Sequence, residues 1–151
     1  MTSRKPVALD HLPDHLPRWL EAVTRRMAAD LGAAGLGEFP DLRGSHRRIL
    51  QMVPPDGIRI TDLAALAGMT KQALGESVDA LESSGYVASR IDERDRRVRL
   101  VSRTPRGEKA VAATSAAIGS VESAWRAEIG PASYDAMLAA LRELGRDGIS
   151  A

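Results

Sequence analysis

Residues 61–87 read T-D-L-A-A-L-A-G-M-T-K-Q-A-L-G-E-S-V-D-A-L-E-S-S-G-Y-V, and residues 88–107 follow directly as A-S-R-I-D-E-R-D-R-R-V-R-L-V-S-R-T-P-R-G. The first stretch has the punctuation of two short helices joined by a tight turn. Thr61 is placed to cap a helix over 62–67. Gly68 supplies a turn residue for which a positive φ costs little. Thr70 is placed to cap the next helix, whose Leu74, Val78 and Leu81 share one inward face, and Gly85 closes it. Ala64 is small where the two helices must cross, and Leu74 supplies the contact from the second. The second stretch predicts two strands, over 87–91 and 98–102, around a loop over 92–97. Helix-turn-helix followed by an arginine-tipped hairpin describes a winged helix. That arrangement places one helix in the major groove of duplex DNA and a loop at the neighbouring minor groove or backbone.

Working outward, Thr104-Pro105 restarts helix, with Thr as cap and Pro in the first turn. Val111, Thr114, Ile118, Val121, Trp125 and Ile129 then form one stripe, which Gly130-Pro131 interrupts, and Tyr134, Met137, Leu138, Leu141 and Leu144 continue on a last helix. Towards the other end a short helix is expected over 44–53, with Ile49, Leu50 and Val53 inward, stopped by Pro54-Pro55-Asp56-Gly57. Before it, Leu12, Leu16, Trp19, Leu20, Val23, Met27 and Leu31 recur at helical steps, and Pro13 and Pro17 restrict where that helix can begin. The expected fold is mainly α with a small β-hairpin wing. A winged lobe at about 43–104 lies between long helical segments at about 9–35 and 105–147.

The 151 residues suit one compact domain or one protomer of a small oligomer, and 44% hydrophobic content is enough for a core that is aliphatic because aromatics are only 3%. Formal net charge is +1, so charge bears on nucleic acid only through its distribution. Over 86–109, Arg90, Arg94, Arg96, Arg97, Arg99, Arg103, Arg106 and Lys109 outnumber Asp92, Glu93, Asp95 and Glu108 by 8 to 4. There is no cysteine, which removes disulfides, thiol redox sensing and thiolate-bound metals. No apolar run approaches the roughly 20 residues of a membrane helix, and the first residues lack a secretory core. A cytoplasmic protein with no membrane partner is the expectation.

The base-reading candidates lie at the start of the second helix: Thr70, Lys71, Gln72, Ala73, Gly75, Glu76 and Ser77. Gln can pair bidentately with adenine, Lys can reach guanine or phosphate, and Ala73 can meet a thymine methyl. Gly75 would let the backbone approach the duplex closely. Glu76 could accept from cytosine or orient an arginine. At the wing tip, Arg94, Arg96 and Arg97 suit a narrow, strongly negative minor groove. Asp95 between them is placed to pair with one arginine and aim it.

The same two stretches resemble the MarR family of bacterial transcription regulators. The wing motif is matched by Asp92, Arg94, Asp95, Arg96 and Arg97, and the helix start after it by Thr104 and Gly107. Ser102-Arg103 departs from the family pattern, which commonly has leucine before the threonine. The resemblance implies a homodimer built by the terminal helices, with recognition helices entering successive major grooves of a pseudo-palindrome. It also implies Arg97 as the paired wing arginine with Asp95 as its partner. It places a cleft for small anionic or aromatic ligands beside the short helix, where Trp19, Arg43 and His46 are the candidate lining residues.

His11 and His15, spaced i,i+4 beside Asp10 and Asp14, have a spacing that can hold a metal, but Pro13 between them argues against it; no metal and no cofactor is expected. Motifs for nucleophilic, metal or nucleotide chemistry are missing, so an enzyme is not expected. The reading is a sequence-specific DNA-binding regulator. Its partners are double-stranded DNA, a second copy of the chain and a small-molecule effector that would release a repressor. The alternative is a winged-helix protein-interaction module without DNA binding.

Overall fold

A computed structural model describes residues 13–34, 38–93 and 95–149, with side chains to residue 146. In chain order the elements are α1 (Leu16–Ala33), α2 (Gly44–Met52), β1 (Ile58–Arg59), α3 (Ile60–Ala67), α4 (Lys71–Ser83), β2 (Val87–Ile91), β3 (Arg99–Arg103), α5 (Pro105–Ile129) and α6 (Pro131–Ile149). The mainly helical fold with a small wing is therefore present. His11 and the first residue of the N-terminal stripe, Leu12, fall outside the described residues, as does Arg94.

The helix-turn-helix forms for the local reasons its sequence contains. Gly68 adopts φ +65, and the amides of Gly68 and Met69 return to the carbonyls of Ala65 and Ala64, closing α3. Thr70 caps α4, its Oγ1 accepting from the Ala73 amide at 3.2 Å. At the other end Gly85 sits at φ +76, with the Gly85 amide on Glu82 and the Tyr86 amide on Leu81, a Schellman closure. Leu74, Val78 and Leu81 are buried, as their spacing requires. They meet Leu50, Val53, Leu63, Ala64, Tyr86 and Val101 in the main core.

Three local expectations need correction. Thr61 does not cap α3. The helix begins at Ile60, which enters the core in the first turn, so the capping position falls to Arg59 and the Thr61 hydroxyl turns to Asp62. The second wing strand starts one residue later than its pattern suggested, at Arg99, because the Val98 amide is used to close the loop on the Asp95 carbonyl at 2.9 Å. The sheet also has a third strand, order β1-β3-β2. Ile58 and Arg59 pair with Val101 and Leu100, two residues too few to show any alternation in the sequence.

The 25 residues of α5 reach about 37 Å at 1.5 Å per residue. Its first turns, with Gly107, Ala110 and Thr114 buried, close the winged lobe. Its far end, with Val121 and Trp125, forms a second cluster with Tyr134 of α6 and with Met27 and Leu31 of α1. Trp125 also donates to Asp30 at 2.7 Å and stacks under Arg26, whose guanidinium holds Glu128. Helix α1 buries none of its residues fully. Leu16, Trp19, Leu20 and Val23 on α1, Ile129 on α5, and Leu141 and Leu144 on α6 remain exposed. Among the described residues no helix is long and apolar enough to cross a membrane.

Candidate nucleic-acid interface

The N-terminal half of α4 and the wing face the same side of the lobe. Lys71, Gln72 and Gly75 of α4, Ile60 of α3, and Arg97 and Arg99 of the wing line one open hollow of about 520 Å³. The sequence-expected residues separate here into three groups. Thr70, Lys71, Gln72 and Glu76 are exposed, and Gly75 and Ala73 are half-buried. Ser77 is half-buried as well, and its hydroxyl donates to the Ala73 carbonyl at 3.1 Å, so it serves its own helix. Arg96 and Arg97 are exposed at the tip; Arg94 lies outside the described residues.

Asp95 organises the tip differently from its expected pairing. Its carboxylate accepts from the Arg97 backbone amide at 3.0 Å, and its carbonyl accepts from the Val98 amide. Asp92 donates its amide to the Val98 carbonyl at 2.9 Å. The loop is thus held by an Asx-type turn, and the Arg97 guanidinium has no ion-pair partner among the described residues. It stays available to an external anion.

A different arginine makes the ion pairs. Arg99, where the wing loop rejoins β3, donates through one nitrogen to Asp79 at 2.7 Å and to Glu82 at 2.9 Å, both on α4. Glu82 accepts besides from the Ser89 amide at 2.7 Å and the Ser89 hydroxyl at 3.0 Å. The Ser89 amide first, then its hydroxyl and Arg99, hold the Glu82 carboxyl below its ordinary value, while Asp79 and then Glu82 raise the Arg99 guanidinium.

Two further clusters fix the lobe to α5. Tyr86, fully buried as a ring, donates its hydroxyl to Asp41 at 2.6 Å, and Arg106 lies over the ring at 4.6 Å while contacting Asp41 at 3.2 Å. The Tyr86 hydroxyl, followed by Arg106, keeps Asp41 below the usual carboxylate range. Arg103, where the MarR-like pattern led to an expected apolar residue, keeps its charge largely covered. Its side chain is only 11% exposed and reaches Glu108 at 3.2 Å and the Gln51 carbonyl at 3.5 Å. The polar strand end is therefore packed by its own long stem.

Beside α2, a hollow of about 330 Å³ opens between α1, α2 and α5. Met27, Leu31 and Ile118 give it an apolar wall, and Arg47, Arg48 and Gln51 a polar one. The Nε of Arg47 is buried without a hydrogen-bond partner, and burial pulls that guanidinium below its ordinary value. Trp19, Arg43 and His46 are not part of this lining. Trp19 is exposed on α1, with its indole N–H on Asp14 at 2.6 Å; Arg43 is exposed just before α2; His46 is half-buried on α2. Sequence reading passed over Arg47, Arg48 and Arg99 because charge alone does not mark them among 21 basic residues. Arg48 and Arg99 find their partners on other elements, and Arg47 bonds the Leu42 carbonyl just before its own helix.

A sequence profile of the MarR family matches residues 42–98. The HTH-type transcriptional regulator PetP of Rhodobacter capsulatus is 35% identical over 65 residues, an alignment that spans 43% of this chain and 39% of PetP. Among solved structures, that of MarR superposes with a TM-score of 0.77 at 20% identity, covering 90% of this chain and 98% of that one. The transcriptional repressor CouR bound to a 23-mer DNA duplex gives 0.73 at 20% identity, covering 95% and 99%. CouR of Rhodococcus jostii RHA1 with p-coumaroyl-CoA gives 0.68 at 22% identity, covering 87% and 92%. At these identities the structural matches speak for the fold.

Proposed function

We propose that this chain, which belongs to the MarR family, is a sequence-specific DNA-binding transcription regulator that acts as a homodimeric repressor. The observation that carries the reading is the shared hollow: Lys71, Gln72 and Gly75 of the recognition helix and Arg97 of the wing converge on one face. A helix N-terminal half that exposes a glutamine and a lysine suits base edges, and an exposed tip arginine suits a minor groove. Thr70, Ala73, Glu76, Ser77, Arg94, Asp95 and Arg96 complete the proposed interface, Ser77 and Asp95 as shape-setting residues. The DNA-bound CouR structure, alike in fold, supports the reading. The protein-interaction alternative gains nothing from this geometry.

We read residues at about 43–104 as the DNA-binding lobe and the terminal helices, about 9–35 and 105–147, as the dimer-forming part. The exposed apolar side chains of α1, the end of α5 and α6 support that reading, since a second copy would cover them. Isologous pairing would set two recognition helices about 34–36 Å apart, one turn of DNA. The α1–α2–α5 hollow supports a small-molecule effector with an apolar body and an anionic end, matched by Arg47 and Arg48. Trp19, Arg43 and His46 stay in the same proposal as residues to be substituted beside them.

Selection of bound duplexes from a random pool, followed by sequencing, tests the function. A pseudo-palindrome is the expected product, and Gln72→Ala should recover a less stringent one. A pool that shows no enrichment over several rounds would refute sequence-specific binding.

A further inference from the structure

We propose that Arg99 is the positioning residue of the interface, holding the wing at a set angle to the recognition helix through Asp79 and Glu82; this rests on the DNA-binding reading above. Arg99 opens β3 and pairs with Ile91, so it occupies the last rung of the hairpin before the loop. From that rung its guanidinium returns to the C-terminal part of α4, 2.7 Å from Asp79 and 2.9 Å from Glu82. Glu82 is bound on its other side to the Ser89 amide and hydroxyl of β2. One arginine and one glutamate therefore tie α4, β2 and β3 together.

The cluster has a purpose on three physical grounds. First, carboxylates near a helix C-terminus face the negative end of the macrodipole, and here they also stand on a DNA-facing lobe. Asp79 and Glu82 are unfavourable on both counts unless a fixed cation compensates them. Second, Arg99 is already engaged by two carboxylates with its side chain only 32% exposed, so it is a poor phosphate contact. Arg90, Arg96 and Arg97 are exposed and have no ion-pair partner among the described residues. Third, Arg97 stands only two residues beyond Arg99 on the same arm of the loop, within roughly 7 Å of chain, so the rung that Arg99 anchors fixes where the Arg97 guanidinium can reach.

The test measures binding of the full chain to a labelled random-sequence duplex of about 30 base pairs and to the duplex recovered by selection. Arg99→Gln should weaken binding about tenfold, and Arg99→Lys, which keeps one ion pair, should recover most of the loss. Asp79→Ala combined with Glu82→Gln should also weaken binding about tenfold, although it removes two negative charges that repel DNA. The decisive readout is a double-mutant cycle. Arg97→Ala should cost about tenfold in the wild-type background and less than about twofold beside Arg99→Gln, because a displaced wing has already lost that contact. Thermal melting of each variant within a few degrees of wild type is expected. Tighter binding by the Asp79/Glu82 double variant, or an undiminished effect of Arg97→Ala beside Arg99→Gln, overturns the inference alone. A wild-type protein that binds neither duplex overturns it together with the function it rests on.

Discussion

Alanine at position 107 would set its Cβ 2.0 Å from the Tyr86 carbonyl oxygen and 3.1 Å from the carbonyl carbon. A carbon approaches a carbonyl oxygen no closer than about 3.3 Å in ordinary packing, so roughly 1.3 Å must open between the start of α5 and the end of α4. The obstacle is backbone, which cannot rotate away as a side chain would. The same carbonyl accepts from the Thr104 amide and hydroxyl, each at 3.1 Å, and the Thr104 hydroxyl also caps the Gly107 amide. Opening the gap breaks one or two of these bonds at about 1 kcal/mol each. Overpacking adds about 1–3 kcal/mol. Alanine's better helix propensity returns about 1 kcal/mol. The net is a destabilisation of about 2.5 kcal/mol, equivalent to about 5–10 °C in Tm for a chain of this size. Gly119→Ala on the same helix is the matched control, because a Cβ there meets nothing within 4 Å. Urea and thermal unfolding, followed by circular dichroism at one fixed protein concentration, measure both. Equal midpoints for Gly107→Ala and Gly119→Ala would falsify the steric argument.

Other consequences can be measured with the same protein. Gly75→Ala also finds open space around its Cβ, so it should raise Tm through helix propensity, by up to about 1 kcal/mol of stability, yet weaken DNA binding by holding α4 off the duplex; unchanged affinity would remove close backbone approach from the mechanism. Leu144 is 76% exposed on α6, so Leu144→Glu should leave the protomer folded and shift sedimentation towards monomer, with operator binding lost alongside; a fully dimeric variant excludes Leu144 from the contact. Trp125→Glu would not serve, because Trp125 is packed inside the protomer against α1. Glu82 and Asp41 both have depressed folded-state pKa values, so their stabilisation is full above the unfolded carboxylate values and is lost as pH falls through the folded ones. Their contribution should therefore be close to full at about pH 6 and decline progressively from about pH 5 downward. Glu82→Gln should flatten that acid limb, and coincident limbs would count against it.

What the sequence determined by itself was set by interactions reaching a few residues along the chain. Thr70 caps a helix because the amide it satisfies is three residues on. Gly68 and Gly85 end helices because each position needs a positive φ, and Leu74, Val78 and Leu81 share a face by helical spacing alone. These signals were enough for the helix order, the hairpin and the polar start of α4. Tertiary structure decided whatever joins distant segments. Ile58 becomes a strand only because Val101 is beside it, and Ile60 displaces Thr61 from the cap only because a core lies under it. Asp95 turns to a backbone amide, while Arg99 finds acids 17 and 20 residues away. Gly107 looked like one more motif residue until the Tyr86 carbonyl came within 2.0 Å of its missing Cβ. The physical reason is common to all of them. A cap or a turn is closed by neighbours whose distance the covalent chain limits, whereas an arginine's partner or a glycine's obstacle is chosen by how whole elements pack.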